Sequence, residues 1–436
     1  MKQLFAGAAM ADITPAVGGK LYGYNDFTWS TSLHDPLDLR VLALRTEGDE
    51  PFLMISVAVG DYGTESADET RKAIADACGV PFLRIAVSAI HTHSAPNVSG
   101  FAGWGGVDRP YLDGILIPAA IRACKEALSS LRPAEFAIVT GESLVGVNRR
   151  ELTEDAEIVF GQNLWAPQDK TMTIIRFRDP ETKTGIFQLV HYGCHGTAAG
   201  NNTEISRDWI GVMEDRLTAE TGILSGFWNG CVGDIGPRLS NGQTTADIEH
   251  AVELGGMAAQ DAVRISRGFS SAVWETGELA VSNEPIVIPC RPIPAKETVD
   301  AYLAAHAPGV YINIDGLIDD YMRKAADCYE TGIFPPTEKS VPVTTVRIGD
   351  AFAFCFTPYE LFSEICLRIR RHAPVRHALT FSLTNGYEAY LPTKDAIPRG
   401  GYEVACFLHG NIAALCDDAD TCIVKGFLGI LRNMNK

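Results

Sequence analysis

The sequence predicts an α/β domain, and two observations carry that prediction. Apolar runs at 39–44 and 52–59 read as strands, 66–77 reads as a helix, and 83–90 is a further apolar run; strand–helix–strand order marks α/β architecture. Downstream, 171–178 and 185–191 flank a turn at 180–184 and read as an antiparallel pair. With 436 residues and 46% hydrophobic content, the chain can bury one large core or two closely joined ones. We expect a single domain over 1–436, with 291–340 as an insertion or subdomain because proline punctuation changes its character.

Charge narrows the function classes. Net charge is -17 and the pI is about 5.0. A nucleic-acid binder would carry a basic stripe, and none is present. The one basic cluster, Arg368 to Arg371, falls late in an expected helix, where it complements the helix dipole. No apolar run reaches the roughly 18 residues that span a membrane. The first residues carry one lysine and an apolar run broken by Asp12 and Pro15, so no signal peptide is expected. Eleven cysteines without C-x-x-C spacing fit free thiols in a reducing, cytoplasmic setting.

Taken in order, Ala11 to Pro15 opens the fold as a strand and turn, and 18–32 is a glycine- and aromatic-rich loop. His34-Asp35-Pro36 leads into the strand at 39–44, and the strand at 52–59 ends on Gly60-Asp61. The helix at 66–77 has Ser66 as expected N-cap, with Glu69 three residues on. The run 83–90 delivers His91-Thr92-His93. Helix is expected over 111–131, strand over 135–140, and an irregular segment over 151–170. The strand at 185–191 ends at His191 and is followed by Cys194-His195. A helix at 210–221, a strand at 222–228 and the turn Asn229 to Pro237 follow, then a helix at 245–265 and strands at 272–281 and 284–289. A hairpin over 343–356 turns at Gly349-Asp350, Pro358-Tyr359-Glu360 opens a helix to about His372, and 379–383 is a strand.

Metal-competent side chains recur just past these strands: His34, Asp61, His91, His93, His195 and Asp234, with Glu360 at an expected helix start. In α/β folds the strand ends are where sites are built. On an extended backbone His91 and His93 would share a face and could serve a transition metal. Each residue also has a structural alternative. The histidine pair can cap a strand, His34 can bond a loop carbonyl, and Asp61 can cap the next helix.

Eight pieces, in order over nearly the whole chain, resemble the catalytic domain of the neutral/alkaline (non-lysosomal) ceramidase family. They are Ala11-Asp12-Ile13-Thr14-Pro15, His91-Thr92-His93-Ser94-Ala95-Pro96, Asn148-Arg149, Cys194-His195-Gly196-Thr197, Ile205-Ser206-Arg207-Asp208, Gly233-Asp234-Ile235-Gly236-Pro237, Pro358-Tyr359-Glu360-Leu361-Phe362, and Tyr390 through Tyr402-Glu403. The resemblance implies mixed β-sheets flanked by helices and one zinc per chain. It implies His91, His195, Glu360 and Tyr402 as ligands, with Tyr387 and Tyr390 close to the last. It places His93 and Arg149 beside the metal, and Asp234 joins them in the catalytic group as a carboxylate orienting an imidazole. Asp208, His34 and Asp61 are expected behind the ligands, Asp208 equally as the N-cap of a helix starting near Trp209.

The implied chemistry is an amidase. A zinc with three or four N/O ligands lowers the pKa of a bound water toward about 7. That water attacks an amide carbonyl, Arg149 helps stabilise the oxyanion, and His93 moves the proton to the leaving nitrogen. Two departures from the family stand out. Gly236 occupies the position of a serine long assigned a catalytic role, which excludes a serine nucleophile there. The chain is also expected to lack the family's C-terminal immunoglobulin-like domain, so a small soluble amide is expected in place of ceramide. An esterase, lactonase or lactamase using the same site is the alternative, as is a non-catalytic metal- or ligand-binding relative. The loops at 22–29 and 101–104 and the 291–340 stretch are expected to shape the pocket.

Overall fold

The computed structural model describes residues 2–100, 104–306 and 314–434. Of the expected pocket loop at 101–104 only Trp104 lies within them, and 307–313 of the 291–340 stretch lies outside. Three mixed sheets form the frame, and each contains one parallel pair joined by a helix. In the first, Phe52–Val57 and Ile85–Ala89 run parallel across the helix Thr64–Cys78, and the antiparallel strands Asp38–Thr46 and Leu4–Asp12 extend the sheet. In the second, Gly185–Tyr192 and Ser225–Asn229 are the parallel pair, joined through the helix Asp208–Thr221. The sheet continues antiparallel through Thr171–Arg178 and Glu135–Glu142. In the third, Phe352–Phe356 and His377–Phe381 are parallel across the helix Ser363–His372, beside the antiparallel strands Thr344–Ile348 and Leu279–Ser282.

Residue type explains the arrangement. Phe52–Val57 and Ile85–Ala89 are buried at every position, as strands covered on both faces must be. One apolar cluster joins all three sheets. Leu42 and Met54 come from the first, Phe177 and Trp228 from the second, and Phe354 and Phe381 from the third. Packed about this cluster, the C-terminal ends of the parallel strands meet. Asn229 Nδ2 donates to the Ile90 carbonyl at 2.6 Å, Ala89 N donates to the Leu383 carbonyl at 3.1 Å, and Ser382 N donates to the Asn229 carbonyl at 3.2 Å. Loops from all three sheets therefore open into one region.

Several local expectations shift. The helix after Asp61 begins at Thr64 with Gly63 as N-cap, and Ser66 is buried inside it. The long helix starts at Arg109 and carries a π turn, Leu112–Leu116, before Ile117–Ser129; Pro118 has no N–H to continue a regular turn. The segment expected to be irregular contains the strand Ile158–Asn163, paired with Gly146–Leu152. Glu360 does not open a helix. Glu360–Leu361 is a short strand parallel to Tyr390–Leu391, and the helix begins at Ser363. Within 291–340, the helices Lys296–Ala305 and Ile314–Thr331 precede the strand Glu338–Val341, which pairs with Ile286–Pro289.

Candidate metal centre

One residue from each sheet's loops meets at the strand ends. His195 Nε2 lies 3.1 Å from Glu360 Oε2, and His91 Nε2 lies 3.5 Å from the same oxygen. The three candidate ligand atoms lie within 4.8 Å of one another, and all three side chains are buried. His91 follows Ile85–Ala89, His195 follows Gly185–Tyr192, and Glu360 follows Phe352–Phe356. The loops approach closely enough to need glycine. A Cβ on Gly196 would stand 2.7 Å from the His91 carbonyl oxygen, and one on Gly233 would stand 2.5 Å from that of Glu360. His91 itself has φ of +74°, a left-handed conformation that costs a histidine about 1–3 kcal/mol and is held by the packing around it. The histidine pair is therefore not on an extended backbone as expected, although the rings of His91 and His93 still meet edge-on at 4.9 Å.

The hydrogen-bond network aims these atoms at a common point. His91 Nδ1 faces the Gly60 carbonyl at 2.8 Å, with Asp61 Oδ1 beside it at 2.9 Å, and His195 Nδ1 faces the Ile235 carbonyl at 2.9 Å. With both Nδ1–H groups assigned to those carbonyls, each Nε2 presents a lone pair toward a carboxylate oxygen. Acceptors facing acceptors in a buried site need a positive charge between them, from a proton or a metal ion. Accordingly, His91 Nε2 and Glu360 Oε2 are buried without a hydrogen-bond partner. The surrounding carboxylates favour such a charge. Burial alone would depress His91, but the Glu360 and Asp61 carboxylates raise it to about 10. Burial would raise Glu360, yet the two imidazoles hold it well below the usual carboxylate range. His195 is pushed down to about 4, first by burial and then by Arg149. This donor set of two imidazoles and a carboxylate fits zinc.

Further groups surround the cluster. Asp61 is buried, bridging His91 and the Tyr22 hydroxyl, which donates to Oδ2 at 2.5 Å; this resolves the capping alternative. His93 lies among the ring edges of Tyr22, Tyr24 and Trp104, and neither of its ring nitrogens has a hydrogen-bond partner. Burial, then His91 and His195, hold its pKa well below the ordinary value. Arg149 is buried, donates from Nη2 to the Tyr390 hydroxyl at 3.0 Å and from Nε to Glu403 Oε1 at 2.7 Å. Glu403 also receives Arg150 Nη1 at 2.6 Å.

Other expected residues stand elsewhere. Two tyrosines reach the candidate ligands: the Tyr390 hydroxyl is 3.5 Å from His195 Nε2, and Tyr387 donates to Glu360 Oε1 at 3.1 Å. Tyr402, expected as the fourth ligand, begins the helix Tyr402–His409 and packs its ring against Tyr390 and Phe160. Asp234 does not orient an imidazole. Its oxygens accept from Ser363 N at 2.7 Å and Asn148 Nδ2 at 3.0 Å, and its carbonyl accepts from Arg149 N, so it ties three loops together. Asp208, with φ of +57°, accepts from the main-chain N–H groups of Ala198, Ala199 and Trp209, which pins the loop after His195 and the start of its own helix. His34 is exposed, and its main-chain N–H donates to the Ile205 carbonyl. At Gly236 even a Cβ would sit 3.0 Å from Thr244 Cβ, so the strand is packed for glycine. Sequence reasoning missed Glu403 as the carboxylate that holds Arg149. Its place beside Tyr402 was the only available signal.

Two solved structures share this fold. A neutral ceramidase from Pseudomonas aeruginosa superposes with a TM-score of 0.75 at 18% identity, covering 99% of this chain and 75% of that one. A ceramidase complexed with C2 gives 0.76 at 18% identity, covering 100% and 76%. No protein-family model and no curated protein matches the sequence. The chain thus has a neutral-ceramidase-like fold of mixed sheets and helices, with a buried His-His-Glu group at the strand ends that could hold a metal.

Proposed function

We propose that the protein is a zinc-dependent hydrolase of a carboxamide C–N bond, with one zinc held by His91, His195 and Glu360 and with Tyr390, rather than Tyr402, as the nearby phenol. The observation that carries this reading is the convergence of two imidazole Nε2 atoms on one buried carboxylate oxygen, with both Nδ1 atoms tied to carbonyls. The ceramidase fold supports an amide as the substrate class. When bound, zinc would supply a Lewis-acid charge and a water acidic enough to attack near neutral pH.

The chain's own groups account for the rest. The Gly60 carbonyl fixes the His91 ring, and the Asp61 carboxylate 2.9 Å from Nδ1 raises its basicity as a ligand. Burial favours the neutral form of the His93 imidazole. Its Cγ–Nδ1 edge abuts Gly23, where a Cβ would come within 2.3 Å of Cγ, so Nε2 is the nitrogen left to take a proton and return it to the leaving amine. Arg149, held by Glu403, presents its charge and the Tyr390 hydroxyl to an oxyanion. Asp234 and Asp208 serve as loop pins, and Gly236 leaves no serine route. All eleven cysteines are free thiols, which fits a reducing, cytoplasmic compartment.

A panel of small N-acyl amides and their matching esters, offered to the zinc-loaded protein, tests the reading. Amide cleavage that is lost in His93→Ala and in His195→Ala is expected. Cleavage of esters alone would replace amidase with esterase, and full zinc occupancy without turnover of either would leave a binding protein.

A further inference from the structure

At the opposite end of the second sheet lies a cavity of about 540 Å³, lined by Arg176, Arg178, Lys183, Arg267, Phe269 and Trp274 among others. At about 3.3 Å per residue, the strand Gly185–Tyr192 sets it roughly 25 Å from the candidate metal centre. Four cationic side chains at one cavity are conspicuous in a protein of net charge -17. Arg176 and Arg178 are two apart on one strand and so face the same way. Each is stacked on an aromatic ring: the Arg176 guanidinium lies 4.1 Å from the Phe269 ring centre, and that of Arg178 lies 3.4 Å from the Trp274 ring centre.

The countercharge is incomplete. Glu135 pairs with Arg178 at 2.7 Å and with Lys183 at 3.0 Å. Arg176 is half-buried, and its acceptor is the neutral Gln188 Oε1, taken by Nε at 3.0 Å and Nη2 at 2.7 Å. Among the described residues no carboxylate lies within ion-pair distance of Arg176 or of the exposed Arg267. Two buried arginines of this chain are treated differently. Arg40 and Arg207 have Asp38, Glu214 and Asp215 to outweigh burial, whereas Arg176 is lowered to about 10 by burial and then by Arg178. A desolvated cation without a carboxylate is costly to keep in a fold unless an anion completes it.

We propose that this cavity is a second binding site, for a small dianionic oxyanion of the phosphomonoester type. Arg176 and Arg267 supply the uncompensated charge, and the rest of the cavity has room for a small organic body. Its volume falls within the range of ligand pockets and exceeds what a bare ion fills, and guanidinium groups suit phosphate oxygens.

The test is calorimetric titration of the zinc-loaded full chain at low ionic strength with phenyl phosphate, inorganic phosphate and, as the uncharged control, phenol. Both phosphates are expected to bind and phenol is not. Arg176→Gln should weaken phenyl phosphate about tenfold, and Arg267→Ala, an exposed change that leaves folding intact, should weaken it about threefold. His91→Ala at the candidate metal centre should leave the affinity unchanged. Absence of binding at about 10 mM phosphate, wild-type affinity in both arginine variants, or loss of binding in His91→Ala would each overturn the proposal.

Discussion

Replacing Glu403 by glutamine tests how the arginine beside the metal centre is held. Glu403 is 1% exposed, and each of its oxygens takes one guanidinium: Arg149 Nε at 2.7 Å and Arg150 Nη1 at 2.6 Å. Arg149 and Arg150 are 6% and 7% exposed, and no other carboxylate among the described residues pairs with either. The two guanidiniums outweigh burial and hold the Glu403 carboxyl below its ordinary range. Glutamine keeps the shape and removes the charge, leaving two buried cations side by side. Breaking a buried pair in this way costs about 3–5 kcal/mol, a large part of a typical total of roughly 5–15 kcal/mol. Equilibrium urea denaturation of the zinc-loaded protein reads the loss directly. Adding Arg150→Met should recover about 1 kcal/mol or more, because one orphaned cation is removed; Arg150 also donates to the Gly400 carbonyl, so recovery is partial. A loss under about 1 kcal/mol in Glu403→Gln, or further loss in the double variant, would refute the reasoning.

Three other outcomes follow from the same geometry. Asp61→Asn removes the carboxylate at His91 Nδ1 and should weaken metal binding about 10- to 100-fold with little change in fold, read by competition with a chromophoric chelator. Gly196→Ala places a Cβ 2.7 Å from the His91 carbonyl oxygen and should cost about 1–3 kcal/mol in urea melts, with metal affinity falling in parallel; an unperturbed variant would show the loop approach to be slack. Asp234 is raised to about 7, chiefly by burial, so its folded form holds a proton that the unfolded chain releases near 4. Its contribution is complete at low pH and is lost as pH rises from about 4 to 7. Thermal melts should therefore fall over that range, and Asp234→Asn should flatten the slope.

The sequence was most legible where chemistry coincides with local pattern. Apolar runs leading to His91, His195 and the Asp61 turn mark strand ends without help from tertiary contacts, and the pair Thr171–Arg178 and Gly185–Tyr192 follows from the turn between them. What local pattern could not show is how sheets pack. His91, His195 and Glu360 are remote in the chain, and they meet because one apolar cluster binds three sheets. Glu360 looked like a helix start because proline precedes it and an amphipathic stretch follows, yet a main-chain pairing with Tyr390 takes precedence. That pairing also brings the Tyr390 hydroxyl within 3.5 Å of His195 Nε2, and three tyrosines within sixteen residues carry no local mark of which one stands nearest the histidine. His34 and Asp208 left two readings open for a similar reason. A polar residue after a strand can serve main-chain groups as readily as a site, and only its neighbours decide.

Metal content of the purified protein, measured by mass spectrometry of the elements beside the variants Glu360→Ala, Tyr390→Phe and Tyr402→Phe, tests the central claim most directly. The account predicts about one zinc per chain in the wild type, a large loss in Glu360→Ala, a measurable fall in affinity in Tyr390→Phe, and retention in Tyr402→Phe. A wild-type protein that holds no metal and takes none up from added zinc, or a Glu360→Ala variant that retains it fully, would contradict the account.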